Sequence, residues 1–211
     1  MKNFKTFLKE KESGNITVFD LDDCLIFSTS KIRYKIPKGD WQESTTSDWV
    51  NVRTKLPKGT EYDFSDFEDF NKTVQSISGE KPNMKVMKEL DKAVNSGDKI
   101  GILTARGNQR AVLLGLKSIL IYKNANGELK PIPRAQFRKK YIFAVTDPKF
   151  LDQLDVQDKN ETSIEQLKAL VLQNIFGDTM GFSNITFYDD DPKTIKWIQK
   201  LKDTRIKAVK V

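Results

Sequence analysis

The stretch "NITVFDLDDCLIF" (residues 15–27) decides the fold, because an apolar run of strand character leads directly into a cluster of carboxylates. Near the other end of the chain, "NITFYDDDPKTI" (residues 184–195) repeats this arrangement. The acidic residues of the two stretches are Asp20, Asp22 and Asp23, followed by Asp189, Asp190 and Asp191. Short apolar strands are typical of a buried parallel sheet, in which ligands bind at the carboxyl ends of the strands. The repeated pattern therefore predicts one site at the edge of a sheet, built from both stretches.

Apolar strand patterns alternate with amphipathic helical patterns along the rest of the chain. Further strands are predicted at "KIGILT" (residues 99–104), "YIFAV" (residues 141–145) and "RIKAVKV" (residues 205–211). The predicted helices cover residues 2–11, a segment capped by Asn83, a segment through Ala111, Leu114 and Leu116, a segment capped by Thr162 or Ser163, and a segment opened by Pro192. This alternation predicts an α/β fold with a mainly parallel sheet.

Residues 28–82 interrupt the alternation with poor periodicity, many turn-forming residues and several aromatic side chains. We therefore expect one core formed by residues 1–27 and 83–211, and a cap or insertion subdomain formed by residues 28–82, which we call the insert. Basic residues of the insert are interleaved with Tyr34, Trp41 and Trp49. These aromatics could hold a nucleotide or a nucleic-acid end by stacking and charge, or they could form a small core of the insert itself.

The composition excludes several kinds of chemistry. The chain has no histidine, which rules out Ser-His-Asp and Cys-His mechanisms and favours an oxygen-ligated metal such as Mg²⁺. The single Cys24 excludes an intramolecular disulfide. A net charge of +7 is compatible with phosphate-bearing or nucleic-acid partners, and equally with a lysine-rich surface. Because no apolar run is long enough to cross a bilayer, we expect a cytoplasmic protein without a membrane partner.

The two acidic stretches have a common chemical explanation. If their strands are neighbours, Asp20 and Asp189 meet at one edge of the sheet, and their mutual repulsion calls for a cation. Mg²⁺ suits carboxylate ligands and can also bind a substrate phosphate. An aspartate beside the metal can attack phosphorus and form an aspartyl-phosphate, while a second aspartate two residues along the chain moves protons.

The motifs resemble those of the haloacid dehalogenase (HAD) superfamily. The run "DLDDCL" (residues 20–25) resembles its first motif, Asp-x-Asp-x-Thr/Val, "ILTARG" (residues 102–107) its second, and "FYDDDPKTI" (residues 187–195) its fourth. The resemblance implies a three-layer Rossmann-like core with a small cap inserted between the first and second motifs. An aspartate at the position of Asp22 further implies a phosphatase.

The resemblance also implies a role for each matched residue. Asp20 is the expected nucleophile and metal ligand, and Asp22 is the expected acid and base, which also coordinates the metal through its backbone carbonyl. Thr104 is the expected hydroxyl donor to the phosphoryl oxygens. Asp189 and Asp190 match the paired metal-site carboxylates. The variable positions of the motifs are occupied by Asp23 and Asp191.

The third motif of the family is a lone lysine, for which Lys168 is the first choice. On the helix predicted from Thr162, a single face that should meet the sheet is shared by Ile164, Lys168, Val171 and Ile175. A lysine at such a position is costly unless it pairs with carboxylates or a phosphate. Lys159 is the second candidate, without a comparable positional argument.

Cys24 stands where the family more often has threonine. A Cys-x5-Arg phosphatase would need arginine at position 30, which is Ser30, so we interpret Cys24 as a small packing residue.

Together these observations predict an Mg²⁺-dependent phosphomonoester hydrolase that acts through an aspartyl-phosphate. Its expected substrates are nucleotides or polynucleotide 3′-phosphate ends. Two alternatives stay open: a phosphatase of sugar phosphates or other small metabolites, and a catalytically inactive HAD-like binding module.

Overall fold

A computed structural model describes residues 12–152 and 162–211, so the helix predicted over residues 2–11 lies outside the described residues. In chain order the strands are β1 (Asn15–Phe19), β2 (Ile26–Phe27), β3 (Lys31–Lys35), β4 (Trp41–Thr45), β5 (Glu61–Asp63), β6 (Lys81–Pro82), β7 (Lys99–Thr104), β8 (Ile121–Lys123), β9 (Leu129–Pro131), β10 (Ile142–Ala144), β11 (Asn184–Asp189) and β12 (Ile206–Lys210). Five of them form a parallel sheet in the order β10-β7-β1-β11-β12. The predicted α/β class is therefore confirmed.

Helices connect these strands. The α-helices are Thr46–Val52, Ser65–Glu68, Phe70–Gly79, Met84–Asn95, Gln109–Leu116, Pro148–Leu151, Ile164–Leu170 and Pro192–Lys200. A 3₁₀ turn covers Lys139–Tyr141, and a π-helical segment, Val171–Thr179, continues the helix before it. Within the described ranges, no helix combines the length and the apolar character that a bilayer crossing demands.

Strand β1 lies in the centre of the parallel sheet, hydrogen-bonded to β7 on one side and β11 on the other. In this register Phe19 lies opposite Tyr188 and Ile102, so Asp20, the residue after β1, comes level with Asp189 at the end of β11. The Asp20 N–H continues the ladder by donating to the Tyr188 carbonyl at 2.9 Å. The two acidic stretches are therefore neighbours at the carboxyl end of the sheet, as their sequences predicted.

Alternate residues of β1 enter different hydrophobic clusters, because successive side chains of a strand point to opposite faces. Ile16 and Val18 pack in the cluster that includes the segment Val171–Thr179, whereas Phe19 packs in the cluster that includes helix Met84–Asn95. The sheet therefore has a separate apolar core on each face, which holds its carboxyl edge in a fixed position.

The insert contains a three-stranded antiparallel sheet in the order β4-β3-β5. The chain leaves the core through β2 and returns through β6, and these two strands pair with Ile26 opposite Pro82. Ring contacts join four aromatics of the insert: Tyr34, Trp49, Tyr62 and Phe64. Trp41 lies outside this cluster with half of its surface exposed (50%).

The last helix of the insert, Phe70–Gly79, packs closely against helix Gln109–Leu116 of the core. Ile77 is fully buried at this contact, and a Cβ added to Gly115 would lie only 2.7 Å from the Ile77 Cβ. Because the Ile77 Cβ is fixed to its backbone, the two helices could not keep this separation with a larger residue at position 115.

We predict that Gly115→Ala lowers the free energy of unfolding by about 1–3 kcal/mol through overpacking, although alanine favours helices. Urea denaturation gives the measurement. The control is Gly79→Ala, where an added Cβ meets no atom within 4 Å, and which should leave stability unchanged or raise it. An equal effect of both substitutions would contradict the close packing at Gly115.

Candidate active site

Lys168 joins the two acidic strand ends. Its Nζ donates to Asp20 Oδ1 and to Asp189 Oδ2, at 2.8 Å in each case. All three residues are buried, with 4% of Lys168, 5% of Asp20 and none of Asp189 exposed. An ammonium group at this depth requires compensating charge, which the two carboxylates supply. The positional argument for Lys168 is thus supported, whereas Lys159 lies outside the described residues.

Local sequence explains how Lys168 reaches this place. Ser163, one of the two predicted caps, begins helix Ile164–Leu170 with a reciprocal capping box that includes Gln166. The cap fixes where the helix begins. The Lys168 side chain, one turn after Ile164, therefore reaches the carboxyl edge of the sheet. The prediction that Ile164 shares the buried face was wrong: it is 39% exposed and lines the rim of the cavity, because the first turn extends beyond the sheet.

The electrostatics of the cluster reflect its burial. Burial raises the pKa of Asp20 well above its usual range, Asp189 adds to the effect, and the Lys168 ammonium opposes it. Burial and the charge of Asp189 likewise raise the pKa of Asp190 to about 7. Burial by itself would lower the pKa of Lys168, but the charges of Asp189 and Asp20 raise it instead. The ammonium therefore stays charged. A further cation near the carboxylates would stabilise their ionised forms.

Three of the predicted metal ligands could hold a cation together. Asp20, Asp189 and Asp190 each offer a carboxylate oxygen, and these oxygens all lie within 4.8 Å of one another. A donor set made only of oxygens fits a hard divalent cation such as Mg²⁺, which keeps several waters. A coordinating role of Asp22 through its backbone carbonyl stays a prediction.

The Asp22 side chain pairs with Arg106. The guanidinium donates from Nε to Oδ2 at 3.0 Å and from Nη2 to Oδ1 at 2.6 Å, which is a bidentate arrangement. Arg106 is completely buried, and it also donates to Ser76 at 2.7 Å and lies over the Phe67 ring. Both carboxylate oxygens of Asp22 therefore accept a hydrogen bond from Arg106. Because Arg106 belongs to the core and contacts Ser76 and Phe67 of the insert, both parts of the chain fix the orientation of Asp22.

The remaining residues of the motifs lie around this cluster. Thr104 ends β7 and is buried, where its hydroxyl oxygen accepts from the Arg106 N–H at 3.3 Å. Its expected contact with a phosphoryl group stays a prediction. Asp23 has a positive φ of 59° and accepts from the Ser28 N–H at 3.3 Å. Cys24 donates to the Tyr188 carbonyl, and burial raises the pKa of its thiol well above the usual value, as suits a packing residue.

The cluster forms the floor of a cavity of about 360 Å³, whose walls come from both the core and the insert. Trp49 and Phe64 of the aromatic cluster line it, so these side chains pack together and also face the cavity. Arg53 reaches across from the insert to Asp191 at 3.2 Å and Glu165 at 3.5 Å. Its Nε is buried without a hydrogen-bond partner among the described residues.

The cavity has a strong excess of negative charge. Its cationic side chains are Arg53 and Lys168. The carboxylates are more numerous: Asp20, Asp22, Asp23, Glu68, Glu165, Asp189, Asp190 and Asp191. A phosphate ester would be repelled here unless a metal cation accompanied it.

Sequence reasoning missed Arg106, Arg53 and Glu165. Arg106 follows the predicted strand "KIGILT" by two residues, and this position could have suggested a role at the strand end. Arg53 and Glu165 carry no local signal, because they meet only when the insert folds over the core.

No protein-family model, curated protein or solved structure matches this chain.

We predict that Lys168→Met lowers the free energy of unfolding by about 3–5 kcal/mol at pH 8, because it leaves two buried carboxylates without their counter-charge. At pH 5 the loss should be smaller. Acids whose pKa is raised in the folded state bind more protons folded than unfolded, so their presence makes stability fall as pH rises. Urea denaturation at both pH values gives the measurement.

The control is Lys88→Met, which changes an exposed lysine and should alter stability by less than about 0.5 kcal/mol at either pH. A loss for Lys168→Met that is the same at pH 5 and pH 8 would contradict the pairing with Asp20 and Asp189.

Proposed function

We propose that the protein is an Mg²⁺-dependent phosphomonoester hydrolase that acts through an aspartyl-phosphate on Asp20. The observation that carries the proposal is the Lys168 ammonium, which lies 2.8 Å from carboxylates of two neighbouring strands at the floor of a cavity. Buried, charge-paired carboxylates with raised pKa values in a cavity are typical of catalytic sites.

The resemblance to the HAD superfamily supports the same proposal. Its first motif follows β1, and its second and fourth motifs begin at the carboxyl ends of β7 and β11, the two neighbours of β1 in the parallel sheet. The insert lies between the first two motifs, which is where the resemblance implies a cap. We accordingly propose that the sheet and its helices form the three-layer Rossmann-like core of that superfamily, and that residues 28–82 form its cap.

In the proposed reaction, a carboxylate oxygen of Asp20 forms a bond to phosphorus while the bond between phosphorus and the ester oxygen breaks. Asp22 gives a proton to the leaving oxygen. A water molecule then attacks phosphorus and passes a proton to Asp22, and the bond to Asp20 breaks, so that inorganic phosphate is released. Lys168 holds Asp20 in place throughout.

Two groups complete this chemistry. When bound by Asp20, Asp189 and Asp190, Mg²⁺ would supply positive charge to the phosphoryl oxygens. Asp22 must carry a proton at the start, and both of its oxygens accept hydrogen bonds from Arg106. In the proposed cycle, one Arg106–Asp22 hydrogen bond breaks when the carboxyl group carries a proton. The other hydrogen bond keeps the carboxyl group directed at the leaving oxygen.

The walls of the cavity favour nucleotides or polynucleotide ends as substrates. Trp49 and Phe64 offer aromatic surface for a base. The Nε of Arg53, which has no hydrogen-bond partner among the described residues, is a donor for an anionic or carbonyl oxygen. Sugar phosphates and other small phosphorylated metabolites are the second candidate class, because their phosphate group could bind to the same residues at the floor of the cavity. An inactive binding module is disfavoured, because it would have no chemical need for the buried cluster.

We predict that the protein releases p-nitrophenolate from p-nitrophenyl phosphate only with Mg²⁺ present, and that Asp20→Asn lowers kcat by at least about a thousandfold, since the amide is not a nucleophile. Absorbance assays with Mg²⁺ and with EDTA give the measurement. Asp40→Asn makes the same chemical change at an exposed position of the insert and should leave the rate unaltered. Activity that survives EDTA or the Asp20 substitution would refute the proposed reaction.

We further predict that Asp22→Asn affects poor leaving groups most, because these need a proton in the transition state. Its kcat should fall about a hundredfold more for an alkyl phosphate than for p-nitrophenyl phosphate. Both substrates are measured on one preparation, so any unfolding caused by the unpaired Arg106 lowers both rates equally and cancels in the ratio.

Asp23→Asn is the matched control for this experiment. It makes the same change one residue along, at a positive φ of 59° that asparagine tolerates, and should leave the ratio of the two rates unchanged. An unchanged ratio in Asp22→Asn would show that Asp22 only supports Arg106.

A further inference from the structure

A second and larger cavity, of about 790 Å³, lies beside the candidate active site. It runs along β10, the edge strand of the parallel sheet, from the turn Lys139–Tyr141 to helix Pro148–Leu151. We call it the edge cleft. Gly107 lines both the edge cleft and the catalytic cavity, so the two cavities adjoin at this residue.

At Gly107 the core and the insert are in close contact. The Gly107 N–H donates to the Phe67 carbonyl at 3.0 Å, and a Cβ at this position would lie 3.2 Å from Glu68 Cγ and 3.5 Å from Thr146 Oγ1. A strand that extends from Asp20 into the edge cleft would therefore run over this contact.

The charge of the edge cleft is opposite to that of the catalytic cavity. Arg110, Lys139 and Lys149 line it with exposed side chains, and no carboxylate of the described residues pairs with any of them. Lys140 also lines the cleft but pairs with Glu12. Among the described lining residues only Asp147 is acidic, and it accepts hydrogen bonds from the Gln109 and Lys149 backbone amides.

Aromatic surface accompanies these charges. Phe70 of the insert lines the edge cleft, and the Arg110 guanidinium lies 5.8 Å from the centre of its ring. An aromatic face beside a guanidinium suits a stacked base, whereas an acidic peptide would use only the charge.

We infer that the edge cleft binds the phosphodiester backbone of a single-stranded polynucleotide whose terminal phosphate lies in the catalytic cavity. This inference rests on the proposed function and narrows its substrate class. A mononucleotide would occupy only the catalytic cavity, which has less than half the volume of the edge cleft. The next phosphates of a strand would lie beside Arg110, Lys139 and Lys149, which have no carboxylate partner among the described residues. Polynucleotide ends are therefore better substrates than mononucleotides.

The test uses a variant in which Arg110, Lys139 and Lys149 are all changed to glutamine. The three residues lie outside the catalytic cluster. The matched control changes three exposed lysines on other surfaces to glutamine: Lys85, Lys88 and Lys207. Both variants lose the same net charge, so a general electrostatic effect would appear equally in both.

The first measurement is phosphate release from oligonucleotides of about 10 nucleotides that carry a 3′- or a 5′-phosphate, and from p-nitrophenyl phosphate. The edge-cleft variant should raise KM for the preferred oligonucleotide at least tenfold, with kcat preserved and p-nitrophenyl phosphate hydrolysis within twofold of the unmodified protein. The control variant should match the unmodified protein with every substrate. An unchanged KM, or an equal change in both variants, overturns the inference.

The second measurement does not require catalysis. Fluorescence anisotropy reports binding of the labelled oligonucleotide to Asp20→Asn protein, with and without the edge-cleft substitutions. Binding should weaken at least tenfold with them, and the slope of log affinity against log salt should fall by about 2, since each single-strand phosphate contact contributes about 0.7. Displacement by polyglutamate as readily as by unlabelled oligonucleotide would reveal a general polyanion surface and overturn the inference.

The two measurements separate the possible failures. If no substrate releases phosphate, the proposed function fails, while anisotropy still decides whether the edge cleft binds a strand. If p-nitrophenyl phosphate and mononucleotides are hydrolysed but the edge-cleft substitutions leave oligonucleotide KM and binding unchanged, the proposed function stands and the edge-cleft inference is refuted.

Discussion

The ammonium group of Lys168, buried between Asp20 and Asp189, is the interaction on which the site depends. Asp20 directly follows β1 and Asp189 ends the neighbouring strand β11, so the two strands each deliver a carboxylate to the same place. Without a cation between them, burial and mutual repulsion would force protons onto these groups. Lys168 removes part of that cost and fixes the distance between the strand ends. The remaining negative charge, on Asp190 in particular, is what makes the same place suitable for a metal.

The insert completes the site by contributing charge and shape that the sheet edge lacks. Arg53 contacts Asp191 and Glu165 at the rim, while Ser76 and Phe67 surround the Arg106 guanidinium beneath it. Helix Phe70–Gly79 is itself packed into the apolar core through Ile77. The insert is therefore attached both by apolar packing and by polar contacts at the cavity, and its position relative to Asp20 is set by several independent interactions.

The sequence predicted those features that have a local signal. The parallel pairing of β1 with β11 followed from two apolar runs with acidic ends, and the place of Lys168 followed from a charged residue on an otherwise apolar helix face. Ile164 was assigned to that face wrongly, because helical periodicity does not reveal where a helix passes beyond the sheet. Arg53 escaped prediction because it meets Glu165 and Asp191 only when the insert folds over the core, and Arg106 because no apolar helix face marks it as one marked Lys168. The assignment of residues 28–82 as a cap stays a prediction, as do the chemical roles of Asp20, Asp22, Thr104, Lys168, Asp189 and Asp190.

The pair of Asp22 with Arg106 can serve both the fold and the proposed chemistry. A buried guanidinium needs a carboxylate, and Asp22 satisfies this need for Arg106 with two hydrogen bonds. The same pair fixes the direction of a side chain that lies two residues after Asp20 on an irregular segment, where a backbone alone would leave it mobile. A proton donor must carry its proton and must also point at its acceptor, because proton transfer requires a short, aligned hydrogen bond. Orientation by Arg106 is therefore compatible with proton transfer by Asp22, provided that one oxygen is released when a leaving group arrives.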